Sequence, residues 1–143
     1  MKTGDHVYLD SNVVITILEH TAPLNRAQRL FIDALETGQV TAISSHLTLA
    51  ECLVKPMRES NKQAIEAVLQ FLEHQEHIEL LQVSRDILVK AAEIRAVSGT
   101  KLPDAIHLAS AVAAGCDAFL SDDKGIRMPA SVARVGFAEL NFD

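Results

Sequence analysis

A chain of 143 residues, 48% hydrophobic and 22% charged, is long enough for one domain with a buried core and has the composition of a soluble globular protein. Its formal net charge of −6 argues against a sequence-independent nucleic-acid coat, which works through excess Lys and Arg. With 4% aromatics and no Trp, it also offers no evident platform for stacking single-stranded bases.

Residues 6–9 read as a first strand, apolar and rich in β-formers, and residues 12–18 as a short helix leading away from it. Thr21 and Pro23 mark the start of a longer helix, in which Leu24, Ala27, Leu30, Phe31, Ala34 and Leu35 keep helical spacing before Gly38 stops it. Residues 40–43 form a second strand. Ser44 and Ser45 are expected to cap the next helix, which runs to about Val54 before Pro56 interrupts or redirects it. Residues 60–74 are amphipathic, with Ala64, Val68, Phe71 and Leu72 on one side. Residues 78–82 form a third strand, Ser84 caps a helix striped by Ile87, Leu88, Ala91 and Ile94, and Gly99 ends it. Pro103 opens an Ala-rich helix closing at Gly115; residues 118–120 form a fourth strand and 132–135 a fifth, at an edge. Strands alternating with helices imply an α/β fold: a mainly parallel central sheet of four or five strands with helices on both faces, in one domain over residues 1–143.

Cys52 and Cys116 lie far apart in apolar helical sequence and belong to no C-x-x-C pair, which reads as two buried free thiols in a reducing compartment. The N-terminus lacks the succession of a signal peptide, and no uncharged apolar run approaches membrane-spanning length. The expectation is a cytoplasmic protein with no membrane association.

Five acids stand out. Asp10 ends the first apolar strand, and Asp122 and Asp123 end the fourth. Ligands of open parallel sheets bind beyond the carboxyl ends of the strands, so these acids emerge on one edge and come within reach of a common metal if the two strands are neighbours. Asp104 sits on the first turn of a small, apolar helix, sharing a face with His107, Leu108 and Ala111; such a helix packs on both sides, and its acid is not expected to be free in solvent. Glu51 lies about two turns into its helix, where period counting does not place it. Carboxylates converging without a cation repel one another, whereas Mg²⁺ or Mn²⁺, hard ions that prefer oxygen, makes the arrangement favourable.

Val7-Tyr8-Leu9-Asp10-Ser11-Asn12 resembles the opening motif of PIN-domain nucleases. Thr48-Leu49-Ala50-Glu51 resembles their second acidic motif, residues 102–111 the third, and Leu120-Ser121-Asp122-Asp123 the fourth, which usually reads Thr-x-Asp. Each motif alone is weak; four in order over nearly the whole chain are a strong combined signal. The resemblance implies a three-layer PIN-like domain and a metal-dependent endoribonuclease, commonly the toxin of a VapC-type toxin–antitoxin pair. It further implies Mg²⁺ or Mn²⁺, an RNA substrate, a homodimer and inhibition by a small antitoxin protein. By the same resemblance Asp10, Glu51, Asp104 and Asp123 are the catalytic, metal-holding residues, with Asp122 an alternative or additional ligand. Asn12 and Ser121 would hold ligands or waters by hydrogen bonds.

Simpler roles stand beside these. Asp10 could cap the helix that follows it, Asp104 could complement a helix N-terminus, and Thr48-x-x-Glu51 fits a capping box. His107 reads as a hydrogen-bonded structural histidine rather than a ligand. Lys55, Arg58 and Lys62 read as a solvated face; they, or Lys101, Lys124 and Arg127, could instead grip RNA phosphates. The expected chemistry is direct attack by a metal-activated water, with no covalent enzyme intermediate, because no Ser–His or Cys–His nucleophile is evident. The rivals are a haloacid-dehalogenase-like phosphatase, for which Asn12 stands where a second Asp is usual, and an inactive PIN-fold binding module.

Overall fold

The computed structural model describes residues 6–19 and 23–140. Five strands are all paired in parallel: β1 (His6–Leu9), β2 (Thr41–Ser45), β3 (Ile78–Leu81), β4 (Ala118–Leu120) and β5 (Ala133–Val135). Their order is β3-β2-β1-β4-β5. The strands step outward from β1 to β3, then restart with β4 on the opposite side of β1. The seam between β1 and β4 is therefore the topological switch point, where an open sheet leaves a crevice.

The helices are α1 (Ser11–Leu18), α2 (Arg26–Glu36), α3 (His46–Arg58), α4 (Lys62–Glu73), α5 (Arg85–Ser98) and α6 (Leu102–Ala113), followed by a short 3₁₀ turn at Phe137–Glu139. Strand alternation distributes them into layers. Val7, Leu9, Ala42 and Leu120 face one side, against Val13 and Val14 of α1, Phe31 and Leu35 of α2, Cys52 of α3 and Leu72 of α4. Tyr8, Ile43 and Phe119 face the other, against Leu108 and Ala111 of α6. Ile87 and Ala91 pack α5 onto Ala105 and Ala109 of α6, whose small side chains let the two helices approach closely. The result is a three-layer α/β/α fold, as the alternating pattern predicts.

Three element boundaries differ from expectation for local reasons. Helix α2 begins at Arg26, not at Pro23, because Asn25 and Gln28 form a reciprocal capping box with both bonds at 2.9 Å; Thr21 lies outside the described residues. Pro56 does not interrupt α3, which continues to Arg58. So near the helix end its missing N–H forfeits little, and Glu59 N–H still reaches the Lys55 carbonyl at 3.0 Å. Ser44 and Ser45 complete β2 instead of capping α3 with their side chains: Ser44 Oγ lies 2.9 Å from the Leu9 carbonyl and 2.6 Å from Thr48 Oγ1, and Ser45 turns to Tyr8. Gly99 ends α5 as expected, in the left-handed conformation with φ 73°. Among the described residues no helix is long and apolar enough to cross a membrane.

Candidate active site

The β1–β4 pairing runs Val7 to Ala118 through Leu9 to Leu120, and the Asp10 N–H continues it by donating to the Leu120 carbonyl at 3.2 Å. Asp10 and Ser121 are thus the first residues past the two strand ends, side by side. The Ser121 hydroxyl donates to Asp10 Oδ2 at 2.8 Å. Asp10 occupies the cap position of α1 but makes no side-chain cap bond. Its carboxylate is aimed across the seam, and the simple capping role does not describe it.

Asp10 is 2% exposed. Burial pushes its carboxyl pKa up; the Ser121 hydrogen bond and the His107 charge oppose this, while the charge of Asp104 adds to the rise. The β1–β4 seam therefore holds a carboxylate that is unfavourable in its ionised form and has a second acid within electrostatic reach. Asp104 itself, the third residue of α6, is partly buried. Asp104 is thus not free in solvent and borders a cleft, while the heavier cost of burial falls on Asp10.

That cleft, about 340 Å³, lies between the α5–α6 connection and the loop after β4, lined by Asp104 and Asp123 together with Lys101 and Arg127. Asp123 Oδ1 accepts the Gly125 N–H at 2.9 Å, and its own N–H donates to Ser121 Oγ at 3.1 Å. Asp122 has other work: its Oδ1 accepts the Phe137 N–H at 3.2 Å and sits where a Cβ on Gly136 would come within 2.7 Å. It ties the 3₁₀ turn to the end of β4, and a side chain at position 136 would displace it. Arg134 reinforces the same junction, donating to the Ser121 carbonyl at 2.7 Å and to Glu139 at 2.9 Å. Asn12 is exposed on α1 and lines a recess of about 190 Å³ with Thr16, Asp122 and Asp123.

Glu51 approaches from α3, and its partner is His107. Glu51 Oε1 and His107 Nε2 are 2.6 Å apart. An ionised carboxylate only accepts, so Nε2 carries the proton between them. That hydrogen bond holds the Glu51 carboxyl below the usual range against its partial burial, with the imidazole charge and the Ser11 hydroxyl adding to the lowering. His107 Nδ1 lies 2.8 Å from the Tyr8 hydroxyl, which lies 3.1 Å from Ser45 Oγ. His107 is buried with both ring nitrogens engaged, as a structural histidine should be. Thr48, buried at the third position of α3 beside Ser44, is not its cap.

Sequence reasoning named Tyr8 only as part of the opening motif and Ser45 only as a helix cap, and did not single out Arg134 or Gly136. Strand alternation could have found Tyr8, since it sends that side chain to the α6 face where His107 sits. The other three depend on pairings between distant segments that no local pattern carries. Of the surface cations, Lys55 pairs with Glu19 at 3.6 Å and belongs to a solvated face, while Lys101 and Arg127 flank the acids.

In donor chemistry the site fits a hard divalent cation: oxygen ligands, a buried carboxylate that gains from a counter-charge, and a neighbouring acid that repels it. Among the described residues, no group of three or more His, Cys, Asp or Glu is placed to hold a metal ion.

Comparison with known proteins gives three findings. The model of the PIN domain matches residues 7–131. None of the curated proteins matches the chain. Among solved structures, VapBC2 from Rickettsia felis bound to a DNA fragment from its promoter aligns with a TM-score of 0.70 at 14% identity, over 92% of this chain and 98% of the other. A toxin–antitoxin complex from Klebsiella pneumoniae aligns with a TM-score of 0.63 at 22% identity, over 94% and 99%. VapC20 from Mycobacterium tuberculosis, described as a sarcin-ricin loop cleaving toxin, aligns with a TM-score of 0.66 at 14% identity, over 83% and 91%. At these identities the likeness speaks for the fold.

Proposed function

The chain belongs to the PIN domain family, and on that premise we propose that it is a divalent-metal-dependent endoribonuclease, the toxin of a toxin–antitoxin pair. The observation that carries the proposal is the buried Asp10 carboxylate at the β1–β4 seam, held by Ser121 and pushed up by burial and by Asp104. An acid whose ionisation the fold penalises contributes nothing to stability by being there, which is the mark of a group kept for function.

Asp10 and Asp104 would hold the cation, with Asp123 from the facing wall of the cleft and Glu51 from α3. Mg²⁺ or Mn²⁺ bound there supplies Lewis acidity toward a phosphodiester oxygen and lowers the pKa of water. The chain's own residues do the rest. Ser121 fixes the orientation of Asp10. Glu51, kept ionised by His107, is suited to accept a proton from, or orient, an attacking water. Lys101 and Arg127, which line the cleft with Asp104 and Asp123, are the cations this reading assigns to RNA phosphates. Hydrolysis is then direct, with no covalent enzyme intermediate. Asp122 is assigned to the fold and Asp123 to the site, because Asp122 is committed to Phe137 and Gly136 while Asp123 borders the same cleft as Asp104.

Family membership favours the nuclease over the phosphatase alternative. The toxin–antitoxin complexes among the similar folds support a small antitoxin as partner; a homodimer and a cytoplasmic location follow from the same reading. The test is a cleavage-site map on total RNA with Mn²⁺, with chelator, and with the Asp104→Asn variant. Discrete cleavage lost in both controls supports the proposal. Cleavage that survives both rejects it, and a folded protein that neither cuts RNA nor binds millimolar Mn²⁺ by calorimetry is instead an inactive binding module.

A further inference from the structure

The polar chain Ser45–Tyr8–His107–Glu51 starts inside the sheet and ends at the candidate site. Its inner end is rigid. The Tyr8 ring stacks on Phe119 with centroids 5.4 Å apart and planes 7° apart, and meets the His107 ring edge-on at 5.7 Å. Tyr8, His107 and Ser45 are all essentially excluded from solvent, whereas the Glu51 side chain is 33% exposed. Glu51 alone would be a flexible side chain on a helix surface, free to sample several rotamers.

Two features of the chain bear on the placement of Glu51. First, the bond is short, 2.6 Å, and links α3 to α6 across 56 residues, so it fixes the carboxylate relative to the helix that carries Asp104. Secondly, α3 runs beside the turn that begins at Asp10, with Cys52 Sγ 4.0 Å from the Ser11 carbonyl, and the Ser11 hydroxyl helps to lower the Glu51 carboxyl pKa. One oxygen is tied inward to His107, and the group lies near the Ser11–Asp10 turn. A core built only for stability would fill this space with apolar side chains, since a buried polar chain contributes little beyond an apolar one of the same shape.

We propose that His107, backed by Tyr8, is the positioning residue for Glu51, setting the carboxylate that the nuclease reading places at the metal centre. The proposal rests on that reading for the role of Glu51, not for the geometry. His107 is buried and does not line the cleft, so the contact it makes toward the site is the one with Glu51, beside a weaker charge effect on Asp10.

Three variants separate positioning from mere structure. His107→Leu removes both bonds, His107→Gln keeps an N–H for Glu51 but not the Tyr8 link, and Tyr8→Phe removes only the far link. We expect His107→Leu to lower kcat on RNA by roughly tenfold to a hundredfold and to weaken Mn²⁺ binding by calorimetry about tenfold, with KM within about twofold. His107→Gln should recover most of both losses, and Tyr8→Phe should fall between His107→Gln and wild type. In a Glu51→Gln background, His107→Leu should add nothing further, because the two act as one unit. Equal losses in the Leu and Gln variants, or effects that add fully to Glu51→Gln, overturn the positioning role, as does unchanged Mn²⁺ affinity in a folded His107→Leu protein. Wild type that binds Mn²⁺ but cuts no RNA would instead reject the nuclease reading, and the calorimetric arm would still decide the role of His107.

Discussion

Two acids of the candidate site are kept in opposite ways. Asp10 is buried at the end of β1, with one hydroxyl donor and a repelling acid, and its carboxyl is pushed up. Glu51 is partly exposed on α3, bonded to an imidazole anchored in the core, and its carboxyl is pulled down. The first is a carboxyl whose ionised form the fold leaves under-compensated; the second is already satisfied. The difference implies a division of labour. Asp10 has the most to gain from a cation, whereas Glu51 is already ionised and fixed before anything binds.

The largest expected effect tests the under-compensated side. Asp10→Asn or Asp104→Asn should reduce Mn²⁺-dependent RNA cleavage by about a hundredfold or more, the scale seen when a preorganised electrostatic group is removed. Circular dichroism and thermal melting should show the fold intact. A folded Asp10→Asn, Asp104→Asn double variant cutting at the wild-type rate would remove both acids from the mechanism.

The next effect probes what holds Asp10. Ser121→Ala deletes the one side-chain hydrogen bond the buried carboxylate receives from its neighbouring strand. Hydrogen bonds to charged groups contribute about 1.5–3 kcal/mol, so urea unfolding at neutral pH should show a loss of about 2 kcal/mol. Ser121→Thr, which restores the hydroxyl, should recover most of it. If Ser121→Ala is as stable as wild type at neutral pH, Asp10 is better solvated than its burial implies.

A smaller contrast separates the two acids after β4. Asp123→Asn should cost about tenfold or more in cleavage, as loss of a ligand or its oriented neighbour does. Asp122→Asn should leave cleavage within about twofold. Gly136→Ala, which places a methyl against Asp122, should instead cost about 1–2 kcal/mol in stability, the range for overpacking. The reverse order in the two asparagine variants would transfer the site role to Asp122.

The layered α/β plan was legible in the chain because each strand and helix carries its own period: Val7, Leu9 and Tyr8 alternate, and α6 is almost continuously small and apolar. The seam was legible as a condition, since strand ends could be located but neighbouring strands could not; the β1–β4 pairing supplies what period counting lacked. The partial burial of Asp104 was legible from the apolar helix it opens, whereas the cleft beside its first turn was not, because apolar neighbours along a helix say nothing about the segment facing it. Caps were misplaced where a later or inward partner prevailed: Asn25 starts the helix after Pro23 through its reciprocal bond with Gln28, and Ser44 turns inward to the Leu9 carbonyl. Glu51 was invisible to geometry because its partner His107 lies 56 residues away, and only the packing of α3 and α6 against the same end of the sheet brings them together.

The smallest expected effect is also the most direct reading of the contrast, because the two acids should change stability with opposite sign. In the metal-free protein, the raised folded pKa of Asp10 means that ionisation is penalised on folding. The penalty is absent below the unfolded carboxylate value of 3.8 and fully present once pH exceeds the folded value. Asp10→Asn, whose amide oxygen still accepts from Ser121, should therefore stabilise the chelator-treated protein at neutral pH by about 1 kcal/mol, a rise in Tm of about 3 °C that fades on acidification. Glu51 behaves in reverse. Its folded pKa lies below the unfolded 4.5, so its contribution is fully present above that value and is lost as pH falls through the folded one. Glu51→Gln should then destabilise at neutral pH and converge with wild type in acid. Millimolar Mn²⁺ should invert only the first comparison, since binding stabilises the wild type in proportion to its affinity and the Asp10→Asn variant far less. If Asp10→Asn lowers Tm at neutral pH in chelator, the buried carboxylate is already satisfied by the protein, and the physical case for a cation at the β1–β4 seam falls with it.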